Sequence, residues 1–166
     1  MRSPETPPRR GFLFAAALPA LLLLAVAAQA DDRPQELQRI RLGAGIHVIQ
    51  AQVALTRAQI LTGLMFREAM PANEGMLFVF PQARQQCFWM KNTLLPLSAA
   101  FVADDGTIVN IEDMAPGSLD RHCSVKPVRF VLEMNQGWFA QRGIAPGFRL
   151  QGGPFPGAGP GTGKAP

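Results

Sequence analysis

The 166-residue sequence contains no set of residues that matches a known catalytic or cofactor motif, no internal repeat and no run of basic side chains. The last absence excludes a function class. Lys and Arg number 16 against 12 Asp and Glu, but Arg2, Arg9, Arg10 and Glu5 fall near the start, which leaves 13 basic and 11 acidic groups over residues 31–166, a net of +2. These charges are scattered singly and the aromatics sit among apolar neighbours, so there is no nucleic-acid footprint. Histidine is scarce, and His47 and His122 have no close ligand partner in sequence. The methionines suit Cu(I) by chemistry, yet Met65, Met70, Met76, Met90, Met114 and Met134 stand singly in apolar segments, as core gap-fillers do. No metal and no cofactor is expected.

Cysteine is limited to Cys87 and Cys123. No cysteine follows the N-terminal apolar run, which argues against a lipoprotein. An even count in an exported chain favours a disulfide between the two. Closing a loop of about 37 residues would stabilise by at most roughly 4 kcal/mol in the chain-entropy model. Although His122 adjoins Cys123, a cysteine nucleophile is the weaker use of these thiols.

Export is expected from residues 1–30: basic residues, an uncharged Leu/Ala-rich run from Gly11 to Ala28, and Ala28-Gln29-Ala30 as a cleavage site before Asp31. Arg9-Arg10-Gly11-Phe12-Leu13 also resembles a twin-arginine signal, with Pro8 where Ser or Thr is favoured. Either route leads to a periplasmic or secreted protein. Contact with the membrane would come only through an uncleaved signal segment.

What the sequence has is an organising stretch, Gly75 to Leu97, in which two apolar runs flank a polar loop. Gly75 to Phe80 is apolar on both alternating faces and reads as a strand covered on two sides. Pro81 is expected to end it, Gln82 to Gln86 to turn, and Cys87 to Lys91 to resume extended structure with Phe88 and Met90 on one face and Trp89 and Lys91 on the other. Asn92 and Thr93 suit a turn, and Pro96 keeps Leu95 out of the helical region.

Elsewhere, Gln38 to Leu42 and His47 to Leu55 read as strands around Gly43-Ala44-Gly45, the second with Ile49, Ala51, Val53 and Leu55 inward and Gln50 and Gln52 outward. Thr56 to Gln59 has capping-box spacing and opens a helix to about Met65. Leu97 to Ala103 and Thr107 to Asp113 form a hairpin around Asp104-Asp105-Gly106. Val128 to Met134 alternates as a strand. Asn135 can cap a short helix closed by Gly143, and Phe148 to Gln151 is a last strand. The fold class is therefore mainly β, a sandwich or open barrel with two short helices. A flexible segment, residues 31–37, precedes a domain over 38–151. Ten of the fifteen residues from Gly152 to Pro166 are Gly or Pro, which predicts a disordered tail over 152–166.

Thr56, Gly63-Leu64-Met65-Phe66-Arg67, Gly75 to Phe80, Phe88-Trp89-Met90-Lys91-Asn92-Thr93 with Pro96-Leu97, and Leu132 to Gly137 together resemble the family catalogued as domain of unknown function 192, over about residues 45–150. The resemblance implies a compact β sandwich of jelly-roll type, often exported, and brings no activity with it. The family usually places Asp after the Pro-Leu pair. Here that residue is Ser98, so a mechanism needing that carboxylate lacks it.

Four residues are the candidate ligand-binding site: Trp89, Lys91, Asn92 and Glu133. A lysine beside a large aromatic can meet an anionic ligand and an amide can orient it. The bland alternative is that Asn92 holds a turn while Lys91 snorkels past Trp89. Glu133, with Arg129 four residues earlier, can pair with either cation, or act as a general base if its pKa is raised. The expected function is an exported module binding a small or polymeric ligand or an envelope protein. Two alternatives stand beside it: a hydrolase- or lyase-like enzyme using Glu133 and Lys91, and a structural accessory of the cell envelope.

Overall fold

The computed structural model describes residues 32–155. The export signal read at residues 1–30 and residues 156–166 of the Gly/Pro tail lie outside the described residues.

The chain runs β1 (Arg39–Ala44), β2 (His47–Ala54), α1 (Arg57–Thr62), β3 (Glu74–Arg84), β4 (Cys87–Phe88), β5 (Leu97–Val102), β6 (Ile108–Met114), β7 (His122–Cys123) and β8 (Val128–Asn135), followed by a single 3-10 turn, Ala140–Arg142. One six-stranded sheet has the order β1-β2-β3-β8-β5-β6, and β4 and β7 form a separate ribbon. All pairings are antiparallel except β2 with β3, which are parallel and joined through α1. The mainly β class expected from the sequence is what the molecule adopts, as an open rather than closed structure.

The middle of the sheet is apolar on both faces because both are covered. Leu77, Ala100, Leu132 and Met134 pack beneath Trp138, Phe139, Ile144, Leu150 and Phe155. On the other face Met76, Phe78, Ala99, Phe101 and Val131 meet Leu64, Met90 and Leu95. Gly75 belongs to this tight centre: a Cβ there would strike the carbonyl oxygen of Glu133 and the sulfur of Met134.

Several local expectations change for identifiable reasons. β3 continues through Pro81 to Arg84. Its ladder to β8 is interrupted between Val79 and Arg84, so the missing proline N–H falls at an irregularity and leaves no ladder bond broken. Burial of β2 is two-sided rather than one-sided. Gln52, expected outward, is only 2% exposed, and Leu55, expected inward, is exposed. The Gln52 carbonyl accepts from the Leu37 N–H at 2.9 Å and from Arg67 at 3.1 Å, while its amide donates to Glu36 at 3.0 Å. Arg67 also pairs with Glu36 and donates to the Gln35 carbonyl. The Gln35 amide in turn donates to the Gln59 and Gly63 carbonyls at the end of α1. Residues 35–37 of the segment expected to be flexible are thus bonded to the domain, because a buried arginine needs acceptors and they supply them.

The capping box of α1 forms as read, with Thr56 and Gln59 bonding each other's backbone, and Gly63 ends the helix earlier than expected. Asn135 caps nothing: its amide donates to the Met70 and Pro71 carbonyls. The Asp104-Asp105-Gly106 turn is present, with Gly106 at φ 86. The last strand is replaced by backbone bonds on two sides, Gln151 to Gly43 of β1 and Leu150 and Phe148 to Gly106 and Ile108. The folded part also runs past Gln151, since Phe155 is 4% exposed and stacks edge-on against Phe130 with centroids 5.0 Å apart. Phe155, assigned to the tail by composition, therefore packs into the core.

Candidate functional site

Cys87 and Cys123 face each other in the β4–β7 ribbon and form the disulfide. The ribbon stands beside the sheet and carries Phe88 inward, where its ring meets Phe78 edge-on at 4.8 Å and Phe80 at 6.3 Å. Extended structure stops there. Trp89 and Met90 are outside any strand, and the Thr93 N–H returns to the Met90 carbonyl at 3.0 Å, closing a turn around Lys91 and Asn92.

Asn92 sits at φ 56, a left-handed conformation that Asn tolerates better than most residues, and its carbonyl accepts from the N–H of Phe66, itself at φ 64. Asn92 thus ties the turn to Phe66 through its backbone. Lys91 is exposed, with its ammonium 5.8 Å from the centre of the Trp89 ring.

Because the chain turns after Phe88, strand alternation does not carry Lys91 to the face of Glu133. Lys91 and Asn92 line a shallow groove with Leu94, Pro116 and Leu119. Trp89 and Glu133 line a different cavity, of about 130 Å³, between α1 with its following turn and the β4 segment. Thr93 borders both. The expected pairing of Glu133 with Lys91 or Arg129 does not occur: among the described residues Lys91 has no carboxylate partner, and Arg129 reaches Asp104 at 3.8 Å and the Phe80 carbonyl at 3.3 Å.

Glu133 lies in the middle of the sheet, opposite Met76 of β3 on one side and Ala99 of β5 on the other. It is 4% exposed, and its carboxyl has no hydrogen-bond or ionic partner among the described residues. Burial alone pushes the carboxyl up to about 8. At neutral pH it is mostly a protonated acid on the floor of a cavity walled by Phe78, Phe80, Phe88 and Leu64, with Trp89 at the mouth, 49% exposed. Sequence reading found Glu133 and Trp89 but missed these phenylalanines and Thr93. Phe78 and Phe88 lie on different elements, and only the disulfide-held ribbon brings them together. No group of three or more His, Cys, Asp or Glu able to hold a metal is present among the described residues.

Ser98, at the family's aspartate position, is buried and forms a second polar cluster: its hydroxyl donates to Asp113 and accepts from the Gly137 N–H at 2.9 Å. Asp113, opposite Ser98 on β6, thus brings a carboxylate to the place where the side chain at 98 lacks one.

The sequence profile of the family DUF192, uncharacterized ACR, matches residues 39–152. The chain belongs to this family. A crystal structure of a Sinorhizobium meliloti 1021 protein, provisionally described as a transcription regulator, is similar at 41% identity and a TM-score of 0.64, covering 68% of this chain and 91% of that one. A Novosphingobium aromaticivorans DSM 12444 protein of unknown function is similar at 34% identity and a TM-score of 0.66, covering 69% of this chain and 86% of that one. No curated protein matches the sequence.

Proposed function

We propose that this DUF192 chain is an exported module that binds a small ligand in the cavity above Glu133. One observation carries the reading: a carboxyl buried in the sheet centre, without a partner among the described residues, faces a cavity walled mainly by aromatic and aliphatic side chains. Leaving a polar group unpaired in such a place is costly, and that cost is relieved when a ligand supplies the missing bond. Export is supported by the signal pattern at residues 1–30 and by the disulfide, and no helix among the described residues is long and apolar enough to cross a membrane.

The alternatives fit the site less well. An enzyme using Lys91 and Glu133 together needs both on one substrate, and they line separate cavities. A purely structural role for Glu133 would be supported by a buried ion pair, and its carboxyl has none among the described residues. The Sinorhizobium relative is provisionally described as a transcription regulator; for direct nucleic-acid binding by this chain, a net charge of +2 over residues 31–166 offers no electrostatic footing.

The test is ligand capture: native mass spectrometry on the purified mature protein, with Glu133→Gln and Lys91→Ala beside it. The expected outcome is a bound small molecule that survives Lys91→Ala and is lost from Glu133→Gln. Retention by Glu133→Gln and loss from Lys91→Ala would move the site to the Leu94 groove and end this reading.

A further inference from the structure

The lining of the cavity narrows what it can hold. Its walls offer the rings of Phe78, Phe80, Phe88 and Trp89, and Glu133 is the one titratable side chain among its described lining residues. Among the described residues no lysine, arginine or histidine borders it, so an anionic group entering this low-dielectric space would lose its hydration with no opposite charge to meet. We propose that the cavity takes the head of a small organic cation, an amine or quaternary ammonium whose charge lies opposite the Glu133 carboxylate and whose carbon substituents lie against the aromatic walls. The proposal rests on the ligand-pocket reading above and names the class of ligand.

Both halves of the lining favour that class. Ring faces carry negative quadrupole density and attract an ammonium within about 6 Å of the centroid. The Lys91 ammonium beside Trp89 is an instance on the same ring. An uncharged ligand would use the acid as a donor but leave this property of the rings unused. Size agrees: roughly 150 Å³ accommodates benzene, and the cavity, at about 130 Å³, suits a head of comparable bulk. Ionising Glu133 at neutral pH reduces affinity by about a factor of ten, since the acid sits about one unit above neutrality, and a desolvated opposite charge recovers more than that.

The surrounding charges leave Glu133 free to respond. On its own strand Arg129 is engaged with Asp104 and the Phe80 carbonyl. Glu74, at the start of β3, pairs with Arg39, and β5 presents Leu97, Ala99 and Phe101 on that face. Above the cavity, residues 60–65 carry no titratable side chain, Arg67 is held by Glu36 and Gln52, and Lys91 lies by Trp89 in the neighbouring groove.

The experiment titrates the purified, disulfide-intact protein with tetramethylammonium, choline and 3,3-dimethylbutan-1-ol, the uncharged carbon isostere of choline, reading heat and the NMR shift of the Trp89 indole. At pH 8.5 choline should bind at least tenfold more tightly than its isostere, and its affinity should fall about tenfold per unit below pH 8 as Glu133 takes up a proton. Glu133→Gln should reduce the preference to what the rings alone provide and erase the pH dependence. Trp89→Ala, at an exposed position where folding is not at stake, should weaken both ammonium probes. If the isostere binds as tightly as choline, or choline binds more tightly at pH 6, the ligand class is overturned while the pocket stands. If none of the three probes, nor benzene, shifts the Trp89 signal, the proposal and the pocket reading both fall.

Discussion

Glu133 sets the sign of one part of the protein's response to pH. Its carboxyl titrates near 4.5 when unfolded and near 8 when folded, so between those values the native state holds more protons than the unfolded chain. Stability from this group is therefore full below the lower value, declines as pH rises through the window, and is lost above pH 8. Glu133→Gln should flatten that decline and make the protein more stable than the parent at pH 9, by at most about 5 kcal/mol. Urea unfolding at pH 5, 7 and 9 measures it, and parallel pH slopes for the two proteins would refute it. Lys91 lies at the other extreme. Exposed and without a carboxylate partner among the described residues, it should tolerate Lys91→Met within about 0.5 kcal/mol, and the double variant with Glu133→Gln should be additive to about the same margin. A coupling above about 1 kcal/mol would mean that the two charges pair in solution.

At the scale of elements, the ribbon β4–β7 is what gives the cavity its outer wall. Cys87→Ser should cost about 2–5 kcal/mol, the range for a native bridge in a small exported domain, and should broaden the Trp89 indole signal. Thiol titration of the denatured, unreduced protein should find none, and two per chain would contradict the bridge. Gly75→Ala should cost about 1–3 kcal/mol by overpacking, because its Cβ would press on the Glu133 carbonyl of the β8 backbone as well as on the Met134 sulfur, and the backbone cannot swing aside. These elements also show what the sequence could reveal. The capping box, the Asp-Gly hairpin and the alternation of β8 were legible because each is local. Three features were not. Pro81 could stay in β3 only because the ladder shifts there, Gln52 could be buried only because Leu37, Glu36 and Arg67 bond it, and Lys91 parted from Glu133 because the strand carrying it stops at Phe88. Glu133 was found as a candidate from its place in an apolar strand, but that nothing would pair with it depends on neighbours distant in sequence.

For the whole molecule, the stretch from Phe148 to Phe155 is bonded to β1 on one side and to the β5–β6 hairpin on the other, covering backbone that would otherwise be a free sheet edge. Phe155→Ala should cost about 3–5 kcal/mol, on the scale of a buried core phenylalanine. The amide of Phe155, bonded to the Gly152 carbonyl, should exchange slowly with deuterium. Free exchange there would return these residues to the tail.

The order β1-β2-β3-β8-β5-β6 also has a consequence for synthesis. β8 is the last strand to be made, yet it lies at the centre of the sheet and joins β3 to β5. Until residue 135 has left the ribosome, the apolar inner edges of two half-sheets have nothing to pair with, and no intermediate length of chain can complete the core. The domain should therefore fold only once β8 has emerged, at the slow end for its size because its decisive pairings are long-range. Its nascent chain is a natural client for a holding chaperone. Ribosome-stalled chains ending at residue 126 should be fully protease-sensitive, and chains in which residue 155 has cleared the exit tunnel should be resistant.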